Sequence, residues 1–337
     1  MSPLARPFLG VARAWRGLVA LFNRREDGLS LAMVRIVVGG TVAAHIVHQR
    51  TTGAAALVWY DDKFGGLRNV SHAWLTPFGG ATPHNVDLVC YATIASALLL
   101  ATGTLTRVAA LATWAGWGVL ANLNGHAGGS YDELLSNLLF LLVLADAGAR
   151  LSIDAVSRGP LVPPRLVPAW PRWLMVFQLV VMYTSTGFQK VSDHWVPWGS
   201  HDALWYILQQ PTWQRIPMDW AAPLLPLLKA ATVGSWLFEV GAPLLLLAWY
   251  YRATRTRGGR LRALFNRIDY RGIVLTFGFF MHVGIEASME VGAFFPATMA
   301  LYCACFSPDE WARTLRRLPF FPGALPGDPT RAGPRPA

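Results

Sequence analysis

The chain has 337 residues, of which 14% are charged and 53% hydrophobic, and its formal net charge is +10. Soluble domains carry roughly a quarter charged residues, so this composition excludes two ordinary soluble domains and indicates a membrane-embedded protein. The arginines lie between apolar segments instead of forming one basic face, which is a topology pattern and not a nucleic-acid footprint.

Residues 1–28 include FLGVARAWRGLVALFNR, an amphipathic segment in which Arg13 and Arg16 interrupt the apolar run that a secretory signal requires. It is expected to lie along the cytoplasmic membrane surface. Crossing about 30 Å of hydrocarbon takes roughly 20 helical residues. On that rule the chain has eight segments, at about 29 to 49, 86 to 104, 106 to 122, 131 to 148, 172 to 190, 226 to 250, 270 to 289 and 291 to 306. The third, fourth and eighth are short, and the last two nearly abut, so whether both cross is left open. The expected fold is all-α, a polytopic transmembrane helical bundle over 29–306, with a cytoplasmic tail over 307–337 that is disordered after about 319.

Basic residues set the expected orientation. Arg24 and Arg25, Arg107, the group from Arg150 to Arg172, the dense group from Arg252 to Arg271 and the tail arginines fall on one side. Arg50, Lys63, Arg68, Lys190 and Arg215 fall on the other, so both termini are expected in the cytoplasm of a multi-pass cell-membrane protein. The long aromatic loops at about 50 to 85 and 191 to 225 then face outward. The second contains SHDALWYILQQ, a short helix expected near the interface.

Cys90, Cys303 and Cys305 lie within apolar segments, and no Cys/His group has metal-ligand spacing, so neither a disulfide framework nor a metal site is expected. No Ser-His-Asp order, phosphate loop, dinucleotide glycine fingerprint or HExxH stands in its proper context. The informative stretch is GFQKVSDHWVPWG at 187–199, where Lys190 ends an apolar helix and Asp193, His194 and Trp195 come directly after it. A lysine there either snorkels to the headgroups or serves a site.

Once the spans are oriented, further polar groups fall at similar depth: His45 and His48, Asp132 and Glu133, and His282, Glu286 and Glu290, which recur every four residues on one helix face. Glu239 lies near the middle of the sixth span. A shared hydrated pocket is the cheaper arrangement for so many ionisable groups. The plainer alternative makes His282 a satisfied core histidine and leaves Glu286 and Glu290 near the surface. Arg35 has a structural reading, snorkelling inward or pairing with Glu239. The loop GHAGGSYDE at 125–133 offers Tyr131 and Asp132 to the pocket mouth.

GFQKVSDHWVPWGSHDALWYILQQP resembles the lysine-bearing segment of the HTTM family, the membrane domain shared with vitamin K-dependent gamma-carboxylases. LAMVRIVVGG at 31–40, NLLFLLVLADAGARLSIDA at 137–155 and FMHVGIEASMEVGAF at 280–294 agree in order. The resemblance implies that the counterpart of Lys190 deprotonates reduced vitamin K, and that the ensuing oxygen chemistry yields a base that removes a glutamate γ-proton before carbon dioxide adds. Aligning on LADAGARLSIDA puts Tyr131 where the carboxylases carry a loop histidine, a departure from their constellation.

The resulting expectation is a bacterial-type membrane enzyme acting with a reduced quinone of menaquinone or vitamin K type on a peptide or lipid-associated substrate. Lys190 would be its base, with His282 and Glu286 in support. The alternative is a non-catalytic quinone- or peptide-binding membrane protein. A transporter is less favoured, because the polar groups cluster toward one side.

Overall fold

The computed structural model describes residues 15–17, 19–20, 22–67, 74–159 and 165–317. Most of the expected amphipathic N-terminal segment, and the tail after 319, lie outside them. The chain divides into two compact units, one built from residues up to Met175 together with those from Pro296 onward, the other from Val176–Phe295.

The first unit begins with a strand, β1 (Arg25–Asp27), and continues through the helices α1 (Leu29–Thr51), α2 (Ala54–Trp59), α3 (Pro83–Thr102), α4 (Thr106–Leu123), α5 (Ser130–Leu144) and α6 (Ile153–Ser157). A second strand, β2 (Leu166–Pro168), leads into α7 (Trp170–Gln189), and α13 (Phe294–Cys305) and α14 (Pro308–Leu315) close the chain. Helices α1, α3, α4 and α5 pack in sequence order around fully buried Val38, Ile46, Leu100, Trp117, Leu135 and Leu138. Thr113 donates to Ser96 across the α3–α4 contact at 3.0 Å, so even the polar groups there are satisfied internally.

The all-α expectation misses one feature: β1 and β2 pair antiparallel, Glu26 opposite Val167. Three-residue strands reading Arg-Glu-Asp and Leu-Val-Pro carry no alternating pattern, so the sequence could not announce them. Arginines fix the ribbon. Arg172 grips Glu26 through two bonds of 2.6 and 2.8 Å, and Arg150 donates to Asp27 at 2.9 Å.

Arg35, fully buried in α1, donates to the carbonyls of Ala147 at 3.0 Å and Leu151 at 2.5 Å, with Arg150 O and Ala101 O at 3.3 and 3.4 Å. The guanidinium thus satisfies orphan carbonyls at the end of α3 and in the turn after α5. Gly103 is constrained by this: its φ is +71°, and a Cβ there would lie 2.5 Å from an Arg35 Nη1. In the same turn Asp154 accepts from the backbone N–H of Leu105 and of Thr106, both at 2.9 Å, and from the Thr106 hydroxyl at 2.6 Å.

The second unit holds the rest of α7, then α8 (Ala203–Leu208), a 3-10 turn (Asp219–Leu224), α9 (Leu225–Val240), α10 (Leu244–Ala253), α11 (Arg260–Arg267) and α12 (Tyr270–Ser288). Its core includes stacked rings, Tyr183 on Phe238 at 4.7 Å and Phe238 on Phe277 at 5.2 Å. The single span expected at 226 to 250 is two helices. Pro243 has no N–H to continue the ladder, and the chain turns through Gly241 and Ala242 before restarting.

Helix positions otherwise agree with the expected segments within a few residues, but their length and hydropathy do not all suffice to cross a bilayer. Among the described residues three helical stretches do, Leu29–Thr51, Pro83–Thr102 and Asp219–Val240, and a fourth counts if α11 and α12, bent by 42°, form one span. The expected figure of about eight is not reached on this measure. Helices α5, α10 and α13 have 15, 10 and 12 residues, and polar residues dilute others, as His282 and Glu286 do in α12.

Asp154 provides a test of the turn. Burial acts to raise its carboxyl, but the Thr106 and Leu105 bonds outweigh that and hold it below the usual carboxylate range. Its stabilisation is therefore complete above the ordinary carboxylate pKa and lost as pH falls through the lower folded value. Asp154→Ala is expected to cost about 1 kcal/mol at neutral pH, as loss of a helix cap does. Thermal unfolding of the detergent-solubilised protein should show this deficit shrinking on acidification.

Candidate functional site

Lys190 comes immediately after the last residue of α7, and its side chain turns toward α9. Its Nζ lies 2.7 Å from both carboxylate oxygens of Glu239 and 3.4 Å from the Ser235 hydroxyl. The pair is largely enclosed, with side-chain exposures of 16% for Lys190 and 6% for Glu239. Snorkelling does not describe this lysine.

Helix periodicity assembles these groups. Ser235 and Glu239 are four residues apart and share one face of α9. Gly187 lets that face come close to α7, since a Cβ on it would lie 2.8 Å from Val240 N and 2.9 Å from the Glu239 Cβ. The glycine in GFQK is thus the space through which lysine reaches carboxylate.

The residues after Lys190 fold back over it. Trp195 places its ring 4.1 Å from Nζ, a cation–π contact. Trp236 donates its indole N–H to the Lys190 carbonyl at 3.3 Å, and Trp198 stands edge-on to Trp236 at 6.0 Å. The ammonium therefore meets both the Glu239 carboxylate and the Trp195 ring.

His194 belongs to a separate cluster in the same loop, with Nδ1 2.7 Å from Asp202 and 3.2 Å from the Ser200 hydroxyl, which itself donates to Asp202 at 2.6 Å. The Ser200 and His194 hydrogen bonds hold the Asp202 carboxyl below its usual range. Asp193 contributes its backbone carbonyl, which accepts from Ser200 N–H at 2.8 Å and closes the turn.

His282 is buried in α12, its Nε2 hydrogen-bonded to Tyr183 OH at 2.8 Å. Tyr183 in turn packs on Phe238, next to Glu239 in sequence. Glu286 meets Arg215 at 3.1 Å, and Glu290 meets the same guanidinium at 3.2 Å. That ion-pair group clips loop to helix end, because Arg215 N–H donates to Ser288 O and Glu290 N–H to Trp213 O.

Tyr131 and Asp132 belong to the first unit. There Tyr131 packs on His45 at 5.2 Å, and Asp132 accepts from Gly129 N–H at 2.7 Å. A cleft of about 630 Å³ opens beside them, lined by residues that include Trp117, Asn122, Glu133 and Asn137. Among the described residues no group of three or more His, Cys, Asp or Glu side chains converges to hold a metal ion.

Three participants escape a reading of the sequence for site residues: Ser235, Tyr183 and Arg215. Two carry a signal. Ser235 is one turn from Glu239, and Tyr183 is two turns from Lys190 on α7, so helical spacing alone could have grouped them. Within the second unit Glu239 meets Lys190, and within the first unit Arg35 donates to backbone carbonyls.

The family model described as the HTTM domain matches residues 23–311, nearly the whole chain, and the chain belongs to that family. No curated protein and no solved structure matches it.

The close approach at Gly187 is open to direct test. Gly187→Ala should press α7 off α9 and lower stability by roughly 1–3 kcal/mol, the usual penalty of overpacking. Thermal unfolding in detergent measures it, and an unchanged midpoint would show that the helices are not closely seated here.

Proposed function

We propose that this HTTM-domain protein is a multi-pass cell-membrane protein with about eight membrane passages and both termini cytoplasmic, which presents the Lys190–Glu239 site outward to a reduced quinone. The observation that carries this reading is the enclosed ammonium–carboxylate pair faced by Trp195. Burying a charge pair so near the end of a helix is expensive, and chains that retain one commonly use it. The donor set suits a quinone of menaquinone or vitamin K type: Nζ can hold a ring oxygen, and Trp195, Trp198 and Trp236 offer flat apolar surfaces to the ring.

In the enzyme reading, a bound quinone would supply redox and oxygen chemistry toward a peptide or lipid-associated substrate, and Lys190, left as the neutral amine when Glu239 takes the pair's proton, would accept a proton from a quinone hydroxyl at Nζ. Glu239 stays within hydrogen-bond reach of the resulting ammonium, and the buried Tyr183–His282 pair orders the wall nearby. A second reading, a non-catalytic quinone- or peptide-binding protein, is favoured by the carboxylate at 2.7 Å, since an ammonium already paired orients an oxygen without taking its proton. The two readings share the site and differ in whether the proton moves.

Orientation is tested by single cysteines. In a background lacking Cys90, Cys303 and Cys305, Gln210→Cys should react with an impermeant maleimide on intact cells and Arg257→Cys should not. The reverse pattern would invert the chain and remove the outward site.

The site is tested with a reduced naphthoquinone as probe. Lys190→Met alone strands Glu239 and should destabilise by about 3–5 kcal/mol, whereas Lys190→Met with Glu239→Gln should restore most of that loss. The wild type should melt at higher temperature with the probe, and the double variant should fold but lose the shift. Lys190→Arg retaining the shift would favour the binding reading, because guanidinium stays protonated. An undiminished shift in the double variant would reduce the ion pair to a helix clamp.

A further inference from the structure

The segment between α10 and α12 has no acidic residue from 251 to 268, yet Arg252, Arg255, Arg257, Arg260 and Arg267 are all exposed there. Asp269 lies 3.7 Å from Arg252 and is itself well exposed. Arg262 is used differently. Its guanidinium donates to the carbonyls of Gly258 and Arg257 and to the Thr254 hydroxyl, and it stands 5.3 Å from the Tyr251 ring. This one side chain staples the loop to α11 and keeps its exposed arginines beside the helix.

Helix α11 has two distinct faces. Phe265 packs between the rings of Tyr251 and Tyr270, both at 5.4 Å, and anchors the helix within its own unit. Leu261, Leu264 and Ile268, spaced three and four apart, form one stripe and are 62%, 50% and 46% exposed. Arg260 and Arg267 lie along one edge of that stripe, one turn from Leu264 on either side.

The turn out of α11 locates this stripe. Asp269, in the left-handed region at φ +41°, turns the chain by 42° into α12, and the two helices together have the hydropathy of a membrane segment. Three arginines among eight residues forbid sinking α11 into hydrocarbon, since each is costly at the bilayer centre. The interface is the remaining place, with leucines down and arginines level with phosphates.

We propose that α11 and the loop before it form an anionic-phospholipid-binding surface. Leu261, Leu264 and Ile268 enter the acyl region, and Arg255, Arg257, Arg260 and Arg267 pair with headgroup phosphates. Three apolar side chains are too few for a stable protein interface of roughly 800 Å² per partner, whereas a bilayer accepts a stripe of this width. The surface depends on neither the quinone nor the side of the membrane, so it stands apart from the reading of Lys190.

The test uses the full chain with Cys90, Cys303 and Cys305 replaced and Leu261→Cys carrying an environment-sensitive fluorophore. It is reconstituted in vesicles of phosphatidylcholine alone or with phosphatidylglycerol in both leaflets, each containing doxyl-labelled lipid. The probe should be quenched more strongly with phosphatidylglycerol, less so at high salt, and the difference should vanish when Arg255, Arg257, Arg260 and Arg267 are all replaced by Gln. These side chains are exposed, so the quadruple variant should keep the wild-type melting temperature. Quenching that ignores phosphatidylglycerol overturns the proposal. A probe that stays aqueous in both vesicles also overturns it and leaves the stripe to a protein partner.

Discussion

An ammonium and a carboxylate withdrawn together from water set the terms for the second unit. Neither charge is tolerable alone at such burial, so α7 and α9 must approach until Lys190 and Glu239 meet at 2.7 Å. That requirement explains the glycine one turn before the lysine and the serine one turn before the glutamate. It also gives meaning to the break in the sixth expected span. Glu239 sits in the last turn of α9, just before Gly241 and Pro243 end the helix, and so close to the level where α7 ends.

The first unit solves a similar problem with different chemistry. Arg35 is fully buried, and backbone carbonyls from Ala147, Arg150 and Leu151 receive it. A guanidinium on carbonyls can neither give up its proton readily nor transfer it to a partner, so this arrangement fixes architecture. Lysine with glutamate is an ion pair between two side chains, with no backbone carbonyl among the described residues receiving the cation. The contrast is the physical reason for proposing function at Lys190 and not at Arg35.

The same distinction separates what is legible in the sequence from what is not. Hydrophobic runs between arginines locate the helices, and Lys190 stands out because a cation is rare beside such a run. The Gly-Ala-Pro interruption is also visible, but a long apolar stretch on both sides conceals it. Pairing cannot be read. Nothing in the sequence pairs Lys190 with Glu239, 49 residues apart, which meet where Gly187 lets α7 approach α9. The β1–β2 ribbon escapes for a related reason: its strands are held by Glu26 with Arg172 and Asp27 with Arg150, contacts more than a hundred residues apart in sequence. The family match over 23–311 gives these same segments a shared history, but it does not say which side chains meet.

The loop after Lys190 is unusually well tied for an exposed connection. Ser200 N–H returns to Asp193 O, His194 and Ser200 both bond Asp202, and His201, in the left-handed region at φ +61°, reaches Pro197 O at 2.6 Å. Farther along, Arg215 and Trp213 are pinned to the end of α12 through Ser288, Glu286 and Glu290. A loop that only connected two spans would need none of these bonds. The turn bonds around Asp193, His194 and Ser200 order the segment that places Trp195 over Nζ, and under the proposed function that ordering entropy would be met during folding and not on binding. The carboxylates of Glu286 and Glu290 act on the far end of this loop, which they hold to α12 through Arg215.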